Sequence, residues 1–454
     1  MRRILFKDAT IVTMDDALGD FAKADLLIED DRIAAIGPDI DGGDAEVIDA
    51  SDRIIMPGLV NAHMHTWQTG LRGLASNWTL LEYFRNVHRG LATLFTPDDL
   101  YYAQLLGGWN QIDCGATTLG DWCHNNPTPA HTDAALDGLI KSQVRAVFFH
   151  GSPKPDAKPG QPHFSEVPHP RSEVERLLNG PLRDAEGRVT LALGILGPHY
   201  STMDVSQHDF RLAREFGLVA SMHQGGGEAK TPGGWDQLEA DGLVGEGCNI
   251  VHGHGLSDDQ IKRFCDAGVS FSTTPENEMT QGHGFPVTGK VRAVGGLLSL
   301  GVDLESVLSG DMFTVGRMAL GMQRALDNDA SRRESGSIPQ TTTIPVREAL
   351  AWITIDGARA IGLGDRVGSL TPGKQADIVV LRSSDLNMGP LHDPISTVVM
   401  QAGPRNIDSV MIAGEFYKRD GQLMVGDVEP AKQALAESGH RIAAELRRLG
   451  QEGK

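Results

Sequence analysis

The sequence predicts a (β/α)8 barrel of the TIM class, an α/β fold, carrying a small discontinuous β-sandwich domain built from both ends of the chain. Three observations support this. Between residue 57 and about residue 365, eight short apolar runs alternate with segments of helical character, the pattern of a parallel sheet. The chain on either side of that region carries shorter apolar bursts broken by Asp and Gly, the pattern of an antiparallel sheet. Most of the eight runs end in a histidine or a carboxylate, and the C-terminal ends of barrel strands are where such enzymes place their chemistry.

In chain order, segments 9–14, 25–29 and 32–37 read as the N-terminal strands of the small domain. The eight barrel runs fall at 55–62, 116–120, 145–149, 189–196, 218–222, 249–251, 269–272 and 305–308. The first ends in His63 and His65, the second in Asp121, the third in His150 and the fourth in His199. The fifth ends in His223, the sixth in His252 and His254, the seventh precedes Glu276 and Glu278, and the eighth ends in Asp311. Asp303 and Glu305 fall at the start of the eighth run. After the barrel, the turn-rich segment 368–377 leads into a strand at 378–381, and a further pair at 410–414 and 415–418 follows, with its turn at 419–422. The division is therefore 57–365 for the barrel, 1–56 with 366–428 for the β domain, and 429–454, rich in Ala, Glu and Arg, for a solvated terminal helix.

His63 and His65 are the most informative pair. In an extended strand residues i and i+2 share a face, so both imidazoles can converge on one metal ion; taken alone, a hydrogen-bonded core role explains them equally well. Some of the 16 histidines fall away from strand ends, for example His88, His131, His169, His208, His392 and His440, and are assigned to surface or core.

Composition narrows the function further. The chain of 454 residues is 40% hydrophobic and can bury a large core, and its formal charge of −19 without any basic stretch argues against nucleic acid or an anionic membrane as partner. No apolar window approaches a membrane span, and Cys114, Cys123, Cys248 and Cys265 show no Cys-x-x-Cys spacing, so a reduced, cytoplasmic setting is expected.

The chain resembles the amidohydrolase superfamily, in the branch of cytosine, guanine and S-adenosylhomocysteine deaminases and s-triazine hydrolases. The matching motifs are Pro57-Gly58-Leu59-Val60-Asn61-Ala62-His63-Met64-His65, Gly197-Pro198-His199, His223, Val251-His252-Gly253-His254-Gly255-Leu256-Ser257-Asp258, Ser309-Gly310-Asp311 and the segment from Gly368 to Asp377. The tripeptide ending in Asp311 departs from the family's Gly-Thr-Asp and is placed by its order along the chain.

The resemblance implies a single divalent metal held by His63, His65, His223 and Asp311, with Zn2+ favoured and Fe2+ or Mn2+ also accepted by three imidazoles and a carboxylate. Water bound to such a metal has its pKa lowered from about 15.7 towards 7, which makes it the nucleophile. Asp311 would take the water's proton and His252 would orient the water or stabilise developing charge. Relatives place a proton-shuttling glutamate three residues after the strand-five histidine, where this chain has Gly226. Glu228 is the nearest substitute, with Glu276 or Glu278 as alternatives, and a solvent-facing loop acid is the competing reading of Glu228. The carboxylates in Pro275-Glu276-Asn277-Glu278 would suit a substrate with amino or cationic groups, a second metal or a loop salt bridge. In relatives the regions of Trp67, Gln68, Arg72 and His199 contact the substrate; for Trp67 and Gln68 the alternative is packing at the barrel rim.

The function implied is hydrolytic deamination of an amino-substituted nitrogen heterocycle. The alternatives are dechlorination, or hydrolysis of a cyclic amide, amidine or ureido bond on the same metal site, and a non-catalytic scaffold. The expected partners are a small heterocyclic substrate and further copies of the chain, in a dimer or tetramer.

Overall fold

A computed structural model describes residues 2–452. Eight parallel strands stand in sequence order: Leu59–Met64, Ala116–Cys123, Arg145–Gly151, Val189–Ile195, Ala220–His223, Cys248–Val251, Ser270–Thr273 and Leu298–Leu300. The first and last are joined beyond their ends by a parallel bridge between Met64 and Asp303. There the Asp303 N–H donates to the His63 carbonyl at 3.0 Å, and the His65 N–H donates to the Asp303 carbonyl at 2.8 Å.

Seven of the expected barrel strands occupy the predicted places, and the eighth does not. Residues 305–308 lie in turns, and the strand is Leu298–Leu300. Gly301 explains why this run closes the barrel: a Cβ there would collide with the backbone of His63, so only glycine admits the approach. Residues 55–57 also move, because Arg53–Pro57 pairs antiparallel with Ile378–Arg382 in the small sheet and the barrel strand begins at Leu59.

The barrel interior is tied by small polar side chains. Trp122 Nε1 donates across it to Ser221 Oγ (3.1 Å), Ser221 Oγ to Asn249 Oδ1 (3.0 Å), and Asn249 Nδ2 to the hydroxyls of Ser270 and Ser272 (both 3.0 Å). Ser272 continues to Ser299 at 2.8 Å. These buried groups satisfy one another, so the ladder fixes strand register without an unpaired polar atom among those bonds.

The small domain is one mixed sheet in the order Gln422–Leu423, Glu415–Arg419, Ile407–Ile412, Ile378–Arg382, Arg53–Pro57, Arg3–Ile11, Phe21–Glu29 and Arg32–Gly37, with Glu46–Asp49 also paired to Arg3–Ile11. It encloses a separate apolar core that includes Ile4, Phe6, Ile11, Leu26, Ile28, Ile55, Ile378 and Met411. The terminal helix, Val428–Glu452, is less solvated than its composition suggests. Its buried Ala431 and Leu435 pack on Leu106 and Trp109 of the helix Pro97–Asp113, and Gly439 rests on the Gly70 backbone.

The segment from Gly368 to Asp377 joins the two domains. Asp377 accepts two hydrogen bonds from the buried Arg145 of barrel strand three, at 2.8 and 2.9 Å, and a third from the Ala413 N–H at 2.8 Å. Its carbonyl accepts the Gly58 N–H at 2.9 Å, just before the strand that carries His63. Removing one partner of such a pair leaves the other charge buried and unpaired. Asp377→Ala is therefore expected to cost roughly 3–5 kcal/mol of stability in equilibrium denaturation.

Candidate metal centre

Strand one ends with His63 pointing into the barrel mouth, and His65, two residues on, points the same way. Strand five brings His223 to them. His223 Nε2 lies 3.2 Å from the Nε2 atoms of both His63 and His65. Asp303 Oδ1 stands beside two of them, 3.5 Å from His63 Nε2 and 3.4 Å from His65 Nε2. The ligand nitrogens of the three histidines all lie within 4.8 Å of one another, close enough to share one ion, with Asp303 alongside His63 and His65.

The protonation states agree with that fit. Burial pushes His63 and His65 down to about 3 and His223 well below the usual imidazole range, so all three are neutral. His65 Nδ1 donates to the Trp122 carbonyl at 2.6 Å, which leaves its Nε2 a bare lone pair. Neutral imidazoles whose Nε2 atoms face one another cannot all be satisfied by hydrogen bonds, whereas a cation among them satisfies every lone pair at once.

Asp303 and not Asp311 supplies the carboxylate at this group. The Asp311 oxygens are both occupied as the cap of the helix Met312–Ser335, accepting from the Phe313 N–H at 2.9 Å and the Thr314 hydroxyl at 2.6 Å. The expectation failed because the eighth strand lies earlier than its apolar pattern suggested. Asp303 Oδ2 is held by Asn277 Nδ2 at 2.7 Å and the Thr274 hydroxyl at 3.4 Å. Asp303 and His252 both sit in the left-handed backbone region, with φ of 69° and 66°. Non-glycine residues held there are strained, and such strain concentrates at functional sites.

His252 lies beside this group, its Nε2 3.8 Å from Asp303 Oδ2. Its Nδ1 pairs with Glu278 Oε1 at 2.9 Å, and the same oxygen accepts the Thr274 N–H at 2.9 Å. Glu278 is fully buried, and burial raises its carboxyl to about 7. Glu228 is exposed on its glycine-rich loop and does not line the cavity over the histidines.

That cavity is walled by Leu80, Tyr83, Phe84, His88, His124, Lys154, Tyr200, Asn277, Gln281 and His283, among others. Several expected substrate contacts stand behind its wall. Trp67 is buried and donates to His124 at 3.3 Å; Gln68 donates to the Tyr83 hydroxyl at 2.6 Å and accepts from Ser306 at 2.7 Å. Arg72 pairs with Glu305 at 3.0 Å, and His199 with Gln224 at 3.3 Å. Neither Glu276 nor Glu278 lines the cavity, and one Glu276 oxygen is buried without a partner among the described residues. His150 pairs with His169 at 3.1 Å, away from this cavity.

Residues that sequence reasoning missed fill their places. His124 follows strand two and packs against His65 with ring centres 4.3 Å apart and planes tilted by 56°, and His88 lies 3.4 Å from His124. Lys154, on the loop after strand three, and Tyr83 and Tyr200 complete the walls. His124, one residue past the second strand, was within reach of the strand-end rule; the others lie in helices and loops with no periodic signal.

An eight-stranded barrel with a His-x-His pair, a third histidine from strand five and a carboxylate after strand eight defines a hydrolase built around a metal-competent centre. The chain belongs to the amidohydrolase family, whose model matches residues 54–417. It is 27% identical over 459 residues to a 5-methylthioadenosine/S-adenosylhomocysteine deaminase of Symbiobacterium thermophilum, covering 98% of this chain and 100% of that one. It is 29% identical to an 8-oxoguanine deaminase of Pseudomonas aeruginosa, covering 93% and 94%. In fold it is similar to a mutant of the atrazine chlorohydrolase TrzN from Arthrobacter aurescens TC1 complexed with zinc and atraton, with a TM-score of 0.83 at 20% identity over 96% of this chain and 100% of that one.

The two aspartates are separable by experiment. Asp303→Ala is expected to weaken metal binding by more than the roughly 10–100-fold that loss of a supporting contact costs, read by metal analysis after dialysis. Asp311→Ala is expected to keep its metal and lose about 1 kcal/mol of stability as a helix cap. The reverse pattern would restore Asp311 as the ligand.

Proposed function

We propose that the chain is a metal-dependent aminohydrolase that removes an amino group, as ammonia, from a nitrogen heterocycle. The observation that supports this best is the convergence of three neutral imidazoles and one carboxylate at the floor of a cavity with aromatic walls. The deaminase names of relatives aligned along nearly the whole chain point the same way.

His63, His65, His223 and Asp303 would hold one divalent ion, with Zn2+ suited to the donor set and Fe2+ or Mn2+ also compatible. Such an ion supplies a water acidified enough to attack at neutral pH. The chain's own residues do the rest. Tyr83, Phe84 and Tyr200 confine a flat ring over the histidines, and Gln68 fixes the Tyr83 hydroxyl from behind. Asn277 and Thr274 hold one Asp303 oxygen, which leaves the other facing the imidazoles.

Proton traffic falls to His252. With Gly226 where relatives carry glutamate and Glu228 facing solvent, the imidazole beside Asp303 is the group placed to accept a proton from water and pass one to the leaving amine. Glu278 fixes the His252 ring through Nδ1, much as a buried carboxylate orients a catalytic histidine elsewhere.

All four cysteines are free, which suits a reducing, cytoplasmic setting, and no helix among the described residues is long and apolar enough to cross a membrane. A homo-oligomer is the assembly we propose, testable by light scattering.

Zinc-loaded protein screened against aminopurines, aminopyrimidines, pterins and aminotriazines is expected to release ammonia; release of chloride from chlorotriazines alone would move the reading to dechlorination. Glu278→Gln is expected to lower kcat by roughly 10²-fold or more with metal content unchanged, and an intact rate would remove the His252–Glu278 pair from the mechanism.

A further inference from the structure

Among the described residues, Lys154 is the one lysine or arginine in the wall of the cavity. It follows barrel strand three, its residue is only 7% exposed, and it shares the lining with His65, His223 and Tyr200. Its ammonium stands 4.6 Å from the Tyr200 ring centre and 5.8 Å from that of Trp122. Among the described residues it makes no hydrogen bond and no ion pair. Burying an ammonium costs several kcal/mol unless it is paired, and contact with aromatic faces returns only about 0.5–2 kcal/mol of that.

Asp303 is the carboxylate nearest in effect, but its oxygens are committed elsewhere, Oδ1 beside the imidazoles and Oδ2 under Asn277 and Thr274. The three ammonium donors are thus free for whatever enters the cavity. Glu276 and Glu278, which on the sequence suited a cationic substrate, do not line it. A divalent ion at the histidines and the Lys154 ammonium against one carboxylate leave the cavity with a surplus of positive charge.

We propose that Lys154 is a specificity-determining residue, pairing with an anionic oxygen on the heterocycle, either a ring carboxylate or an ionised ring oxo group. The site then selects acidic rings over neutral or cationic ones. This rests on the aminohydrolase reading of the same cavity and names its substrate class. A charge-assisted hydrogen bond in a water-poor cavity is far stronger than the same contact at a surface, so the preference should be large.

The test is calorimetric binding to the zinc-loaded full chain near neutral pH, with two matched pairs of probes. The pair 4-aminopyrimidine-5-carboxylate and 4-aminopyrimidine reports a carboxylate; barbiturate, ionised at a ring oxygen, and uracil report an oxo group. In the unaltered chain the anionic member of at least one pair should bind about tenfold tighter or more. Lys154→Met should abolish that preference while metal content and melting temperature hold, and Lys154→Arg should retain it in part. No preference in either pair, or a preference that survives in Lys154→Met and so comes from the metal, would overturn the proposal. Failure of the aminohydrolase reading shows separately, as absence of ammonia from every ring with the binding preference intact.

Discussion

The site depends on how the barrel closes. Strands one and eight are joined at their C-terminal ends by two backbone hydrogen bonds between the residues flanking Met64 and a single residue, Asp303. The same contact that seals the sheet therefore sets the Asp303 carboxylate beside the imidazoles of His63 and His65. Gly301 permits the approach and Asn61 secures it, accepting the Val302 N–H at 3.1 Å while donating to Gln111, also at 3.1 Å. Asp303 meets this demand with a left-handed backbone, a strain that the two hydrogen bonds and the Asn277 contact hold in place.

Burial gives that geometry its chemistry. A metal competes with protons for imidazole nitrogen, and a dry environment disfavours the imidazolium, so burial keeps the three histidines ready for a cation. The supporting contacts decide which nitrogen is offered: the Trp122 carbonyl takes the His65 Nδ1 proton, and Glu278 takes up Nδ1 of His252. Trp122 does double duty, because its indole also anchors the polar ladder through Ser221. Metal geometry and barrel register thus share one residue.

What the sequence revealed and what it hid follow from the range of the signals. His63, His65 and His223 were legible because strand periodicity fixes which way a residue points and where a strand ends. The eighth strand was misplaced because two apolar runs, at 297–300 and 305–308, compete over a dozen residues, and only the tertiary demand at Gly301 chooses between them. Trp67 and Gln68 were found in the right neighbourhood with the wrong orientation, since a 3-10 turn after the ligands rotates them behind the wall. Lys154 carries no local pattern at all. Its position is a property of the folded cavity.

Where the family resemblance places a glutamate this chain has Gly226, and the buried carboxylate that pairs with His252 is Glu278. A glutamate reaching in from the strand-five loop would meet water directly, whereas Glu278 reaches the reacting region only through His252. Gly225, the next residue towards the site, lines the cavity, and a side chain there would meet the Tyr200 hydroxyl and His199. Asp303 is the one carboxylate among the described residues lining the cavity, so under the proposed reading the unpaired Lys154 would dominate the remaining field. The proposed proton path through His252 and the proposed selection for an anionic ring thus share one cause, the lack of a second carboxylate in the cavity wall.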